Sequence, residues 1–234
     1  FAARFPEFRV APETSELVRE MVRNGEVDAL VPERVLQELS RGLMERRPSR
    51  MLQILADSGL IERLYGELQD LAPAAEALDR AAARGLVLPA RFAILASACR
   101  TPRTVADLIG KLRVPQEAAQ LARLLVELRD TLANAQSSAL IVDALERADA
   151  FRRPERFEAL LQTYETVSQR SAEPFRRALR AAAEVDAGAL ASLHRNDPGE
   201  IPRAVRQARV VAVSRALHGD QVARPDDSDQ SQLS

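Results

Sequence analysis

Cysteine occurs once in this 234-residue chain, histidine twice, and Lys111 is its one lysine. With Cys99 alone, neither an intramolecular disulfide nor a cysteine-based metal site can form, and a reducing cytoplasm is the expected setting. His194 and His218 both fall near the C-terminal end, and neither stands beside clustered carboxylates at ligand spacing. That leaves no Ser-His-Asp or Cys-His arrangement for nucleophilic catalysis; Cys99 reads as a packed thiol and the histidines as loop and helix-cap residues. The nine glycines are scattered at helix ends, which excludes a glycine-rich phosphate loop. No apolar run approaches the roughly 20 residues needed to span a bilayer, no signal peptide opens the chain, and no membrane partner is expected. A period of 20 to 50 residues is also missing, so a helical repeat array is excluded.

What remains is an ordinary globular composition. Hydrophobic residues make up 46%, charged residues 29%, and the formal net charge is -1. Such a chain can bury the core of one large or two small domains, and it is no polybasic arm. Any RNA contact must come from a local patch. Its cations are nearly all arginine, which suits bidentate phosphate contacts but more plainly reflects a bias in codon usage or composition.

The pattern is helical almost throughout, with no strand-like alternation bounded by hairpin signals. Leu17, Val18, Met21 and Val22 give one helix face between Pro12 and Gly25. Helices are expected at Pro32 to Glu45, Pro48 to Asp57, Leu60 to Leu71 and Pro73 to Ala83. The nearly all-apolar stretch Pro89 to Cys99 marks a central buried helix. Further helices are expected at Thr104 to Leu112, along a face of Leu121, Leu124, Leu125, Leu128 and Leu132, and at Ala139 to Phe151. Pro154 to Val167, Pro174 to Val185 and Gly199 to Leu217 complete the set. The fold class is therefore all-α, an irregular multi-helix array, with a disordered tail at 220–234.

One stretch organises the chain: Val31-Pro-Glu-Arg-Val-Leu-Gln-Glu-Leu39. Pro32 suits a first helical turn, Glu33 faces the positive end of the helix dipole, and Arg34 and Glu38 stand one turn apart. Taken alone, this E-R-x-x-x-E pattern reads more readily as a solvated helix face than as a motif. Its neighbours give it context: Phe1-Ala-Ala-Arg-Phe5, Phe8-Arg-Val10, Pro12-Glu-Thr14, Asn24-Gly25, then Arg47-Pro48 before Leu52 to Leu60. In that order, residues 1–71 resemble the neck and early body of a class II bacterial tRNA nucleotidyltransferase, the CCA-adding enzyme. The resemblance continues, more sparsely, through Leu112-Arg-Val-Pro-Gln-Glu117, Asp149-Ala-Phe-Arg-Arg-Pro-Glu-Arg156 and Gly199-Glu-Ile201. It implies neck and early body helices at 1–71, a helical body at 72–186 (a degenerate His-Asp region) and a tail helix at 187–219.

The resemblance carries two departures. Where longer members have a metal-binding His-Asp pair, this chain reads Leu95-Ala-Ser-Ala-Cys-Arg-Thr-Pro102, so no His-Asp phosphohydrolase site is expected. The family's Mg²⁺, CTP and ATP are implied for a catalytic head domain upstream, and none is expected to bind this chain alone. Phe1 stands where Met would open a complete chain, in what reads as the end of a helix, so the expectation is a segment of something longer. It is unlike the poly(A) polymerases, whose tails are more basic.

By this resemblance the chain is a tRNA-binding part that grips the acceptor stem and elbow by shape, with nucleotidyl transfer in the head. Glu33, Arg34 and Glu38 are expected to brace the neck, not to do chemistry. Arg203, Arg206 and Arg209, with Arg215 beyond them, share a helix face by their spacing, and Arg152 with Arg153 forms a second patch. Spacing alone fits a solvated basic face as well as an RNA contact. The alternative is a headless helical module, derived from this scaffold, that binds protein.

Overall fold

The computed structural model describes residues 2–135, 137–195 and 197–219; the tail at 220–234, expected to be disordered, lies outside them. Among the described residues the chain is all helix and turn. In order it forms α1 (Pro12–Asn24), α2 (Pro32–Leu43), α3 (Pro48–Asp57), α4 (Leu60–Leu64), α5 (Leu71–Ala83), α6 (Leu88–Ala96) and α7 (Pro102–Leu112). There follow α8 (Gln116–Asn134), α9 (Ser138–Arg147), α10 (Pro154–Ser168), α11 (Glu173–Ala183), α12 (Ala187–Leu193) and α13 (Ile201–His218). Short 3-10 turns occupy Glu26–Ala29 and Pro198–Glu200. No helix among the described residues is long and apolar enough to cross a membrane.

Proline is the first residue of five of the thirteen helices among the described residues, at Pro12, Pro32, Pro48, Pro102 and Pro154, where the missing N–H costs nothing. Gly25 closes α1 in the left-handed region at φ 79°, its N–H donating to the carbonyls of Met21 and Val22. The positive φ is what favours glycine here, and a Cβ would stand 2.8 Å from Nη2 of Arg63 and push that flexible side chain aside.

One expectation about helix extent is corrected. The helix expected from Leu60 to Leu71 stops at Leu64, and Leu71 instead begins α5. Between them the N–H groups of Gln69 and Asp70 donate to the carbonyl of Ala98, at 3.1 and 3.3 Å. Gly66 lowers helix propensity by about 1 kcal/mol at the same place, and the tertiary bonds take over. In the segment 187–219 the helix expected at Gly199 to Leu217 is α13, and before it stands the short α12, capped by Oδ1 of Asp186 accepting from the Ala189 N–H at 2.9 Å.

By its contacts the chain forms two compact units. One joins the residues up to Asp130 with Glu155–Ser171; the other joins Thr131–Pro154 with the described residues from Ala172 onward. This division cuts across boundaries at 71 and 186, because the chain leaves the first unit after Asp130 and returns to it at Glu155.

In the first unit α6 is the centre, buried on every side from Ala90 to Ala96. Phe92, Ile94 and Leu95 are fully enclosed, as are Leu43 of α2, Leu78 of α5, Leu108 of α7, Leu125 of α8 and Phe157 of α10. Each such side chain contributes about 1.5–3 kcal/mol by leaving water. Arg91 lies within this core at 4% exposure. At the periphery α1 buries only Val22, and Leu17 and Met21 of its apolar face stay exposed. The second unit packs α9, α11 and α12 on α13, around Val142, Leu145, Ala178, Ala182 and Val213.

Candidate nucleic-acid interface

The α2 start expected from sequence is formed, but its charges pair differently from the one-turn spacing. Glu33 in the first turn of α2 pairs with the Arg113 guanidinium, and Glu38 pairs with Arg41. Arg113 occupies the C-cap of α7 at φ 51°, a left-handed position where glycine is common. The backbone N–H of Glu33 itself, and then the Arg113 guanidinium, hold the Glu33 carboxyl below the usual range. The ion pair therefore joins the start of α2 to the end of α7, eighty residues on. Arg113 is the partner that sequence reading missed.

The C-terminal end of α2 is fastened by Arg91. Its Nη1 donates to the Leu43 carbonyl at 2.7 Å and to that of Glu45 at 3.2 Å, while Nε donates to the Leu86 carbonyl at 2.7 Å. Burial depresses the Arg91 pKa. A cation with five donors in a fixed fork suits unpaired carbonyls at a helix terminus, where the dipole is negative. Between these two ties lies a cavity of about 560 Å³, lined by Val35, Leu39, Met51, Leu55, Leu60 and Leu64 and rimmed by Arg34, Glu38 and Arg41.

In the second unit, the basic face of α13 divides. Arg203 points outward, its side chain 82% exposed, with Glu200 at 3.6 Å. Arg206 instead pairs with Glu146 of α9 and approaches Asp143 at 3.8 Å. Arg209 is only 21% exposed; its guanidinium carbon sits 3.7 Å over the Phe151 ring, and Nη1 is 3.9 Å from Glu146. The three arginines share one side of the helix, as their spacing requires, but two of them hold α13 against α9 and its exit. Arg215 is exposed. Arg152 and Arg153 are both exposed in the turn after α9, with Arg153 Nε 3.7 Å from Asp149.

Among the described residues no three His, Cys, Asp or Glu side chains converge so as to hold a metal. The donor set does not fit a divalent cation, and no step is assigned through one. Cys99 is enclosed, and burial, followed by the charge of Glu67, pushes its thiol up to about 11. His194 sits at the C-cap of α12.

Residues 7–71 match a protein-family model described as "Probable RNA and SrmB- binding site of polymerase A". Over 218 residues, 92% of this chain, it is 48% identical to the protein named "CCA-adding enzyme" of Bordetella bronchiseptica, covering 58% of that protein. Nearly the whole chain is thus similar to one part of a CCA-adding enzyme. The Bordetella pertussis CCA-adding enzyme is 47% identical over the same length. The "Multifunctional CCA protein" of Paraburkholderia phymatum is 40% identical over 264 residues, covering 93% of this chain and 63% of that protein. That span exceeds the length of this chain, so the multifunctional relative carries residues within the matched stretch that are missing here. The chain spans less than two thirds of the length of these CCA-adding relatives. No solved structure matches it.

Proposed function

We propose that this chain is the tRNA-holding part of a CCA-adding enzyme. The observation that carries the reading is its 48% identity, across 92% of its length, with a CCA-adding enzyme. The match of residues 7–71 to an RNA-binding model supports it. In this reading the helices grip the acceptor stem and elbow through phosphate and ribose, which reads A-form geometry and not sequence. Arg203, Arg152 and Arg153 supply outward cations on the second unit. Arg206 and Arg209 act one step back, keeping α13 on α9. Glu33 with Arg113, and Arg91, brace the neck helix α2 at its two ends.

Nucleotidyl transfer, with Mg²⁺ and CTP or ATP, belongs in this reading to a head domain encoded in the remaining length of the relatives. The apolar cavity beside α2 is the place for that head to dock: its floor is leucine, valine and methionine, and its charged rim carries both signs. The same cavity favours a second reading, in which the chain binds protein and not RNA.

The experiment is a titration of the full chain with tRNA and with a single-stranded RNA of equal length, over a series of salt concentrations. Tighter binding of tRNA with a steep salt dependence supports the RNA-holding reading. Absence of binding at low salt leaves the protein-binding reading.

A further inference from the structure

A second basic feature lies in the first unit, where the sequence singled out no arginine for RNA contact. The C-terminal ends of α5 and α10 border an open cleft of about 740 Å³. Arg80, Arg84 and Arg170 line it, with Gln162, Gln169 and a single carboxylate, Glu165. The three arginines are not equivalent. Arg80 is spent on structure: Nε donates to the Thr166 carbonyl at 3.0 Å and Nη2 to that of Val167 at 3.5 Å, capping α10 where the dipole is negative. Arg84 commits only Nη1, to Oγ1 of Thr166 at 3.0 Å, and the rest of its exposed fork is unspent. Arg170 is exposed, and no carboxylate pairs with it among the described residues.

The turn that delivers Arg170 is itself unusual. Gln169 adopts φ 56°, a left-handed conformation that costs a non-glycine residue roughly 1 kcal/mol. Its N–H donates to the Glu165 carbonyl at 3.0 Å, and the Arg170 N–H donates to Oγ of Ser168 at 3.2 Å. The chain thus reverses immediately after α10, putting the guanidinium of residue 170 at the same cleft as that of residue 84. With the Thr166 and Val167 carbonyls taken by Arg80, the uncommitted edge of Arg84 and the Arg170 guanidinium border a cleft that holds one carboxylate, Glu165.

We propose that this cleft holds the phosphate backbone of RNA through Arg84 and Arg170. The inference rests on the RNA-holding reading above and extends it to a place on the first unit. Guanidinium forks match phosphate oxygens bidentately, and two of them suit consecutive phosphates. No aromatic ring lines the cleft, so a base has nothing to stack on and the contact reads backbone, not sequence. A free nucleotide or inorganic phosphate shares the anion chemistry, and competition by inorganic phosphate tells the sources apart.

The test is the double substitution Arg84→Glu with Arg170→Glu in the full chain, assayed for tRNA binding by fluorescence anisotropy across salt. The control is Arg103→Glu with Arg123→Glu, an equal charge change at two exposed arginines elsewhere in the first unit. The cleft pair is expected to weaken tRNA binding about ten-fold at physiological salt, and to flatten the salt slope by about 1.4–1.8, as for two lost phosphate contacts. The control pair is expected to have little effect. Arg84→Gln with Arg170→Gln, which leaves no new charge in the core of the cleft, is expected to give the same direction with an unchanged helical spectrum. Unchanged affinity and slope in the cleft variants, or an equal loss in the control, overturns the proposal. So does displacement of RNA by millimolar inorganic phosphate, which would make this a small-anion site. Failure of the unsubstituted chain to bind any RNA overturns the parent reading instead, so the two failures are told apart.

Discussion

Removing Arg91 is the sharpest perturbation of the scaffold. Its side chain is 4% exposed, and its three bonds end on carbonyls of Leu43, Glu45 and Leu86. Hydrogen bonds to a charged group contribute about 1.5–3 kcal/mol each, but they are not additive, and Arg91→Leu also relieves the desolvation of a buried cation. Leaving the acceptors without donors costs about 1–3 kcal/mol apiece, in part recovered where water or backbone movement reaches them. The net expectation is a loss of about 2–3 kcal/mol. For a chain of this size that lowers the thermal midpoint by about 4–12 °C. Arg91→Lys keeps the charge but not the fork, and is expected to lose most of the same amount. Circular dichroism melts of both variants are the assay. A midpoint within 2 °C of the parent for Arg91→Leu would refute the view that this arginine ties the end of α2 to α6.

Cys99, with its thiol pushed up to about 11 by burial, is expected to be almost entirely protonated at pH 8. Ellman's reagent should label it very slowly in the native chain and fully in denaturant; fast stoichiometric labelling of native protein contradicts the packing described. Asp28 accepts from Nε and Nη2 of Arg63, and that bond holds its carboxyl below its ordinary value of 3.8. A depressed folded value stabilises the fold above the unfolded value and is lost as pH falls through the folded one. The midpoint difference between the parent and Asp28→Asn should therefore be level above pH 5 and shrink below about pH 4; a difference that persists to pH 2.5 contradicts the pairing.

Much of the helical order is legible in the sequence, for local reasons. Proline at a helix start and glycine past its end are signals carried by single residues, and α3 runs from Pro48 to Asp57 as its sequence suggests. The apolar run around Phe92 gives α6 as a buried helix, because only a fully enclosed helix omits a polar face. The end of α4 was not legible: it depends on the Ala98 carbonyl, some thirty residues away. Long-range pairing hid most of the candidate site as well. Spacing puts Arg203, Arg206 and Arg209 on one side of α13 but does not say what that side meets, and Glu146 and Phe151 meet two of the three. Glu33 was visible as a helix-start acid, whereas Arg113 lies eighty residues away at a helix cap where glycine is the usual signal. Arg84 and Arg170 share a cleft only because the chain returns to the first unit after Glu155.

The measurement that bears most directly on the central claim is hydroxyl-radical footprinting of tRNA bound to the full chain. A holder of tRNA that reads shape through the backbone protects riboses along the acceptor stem and elbow and leaves the anticodon arm open. Protection confined to the anticodon arm, or none at concentrations that saturate binding, would contradict the account.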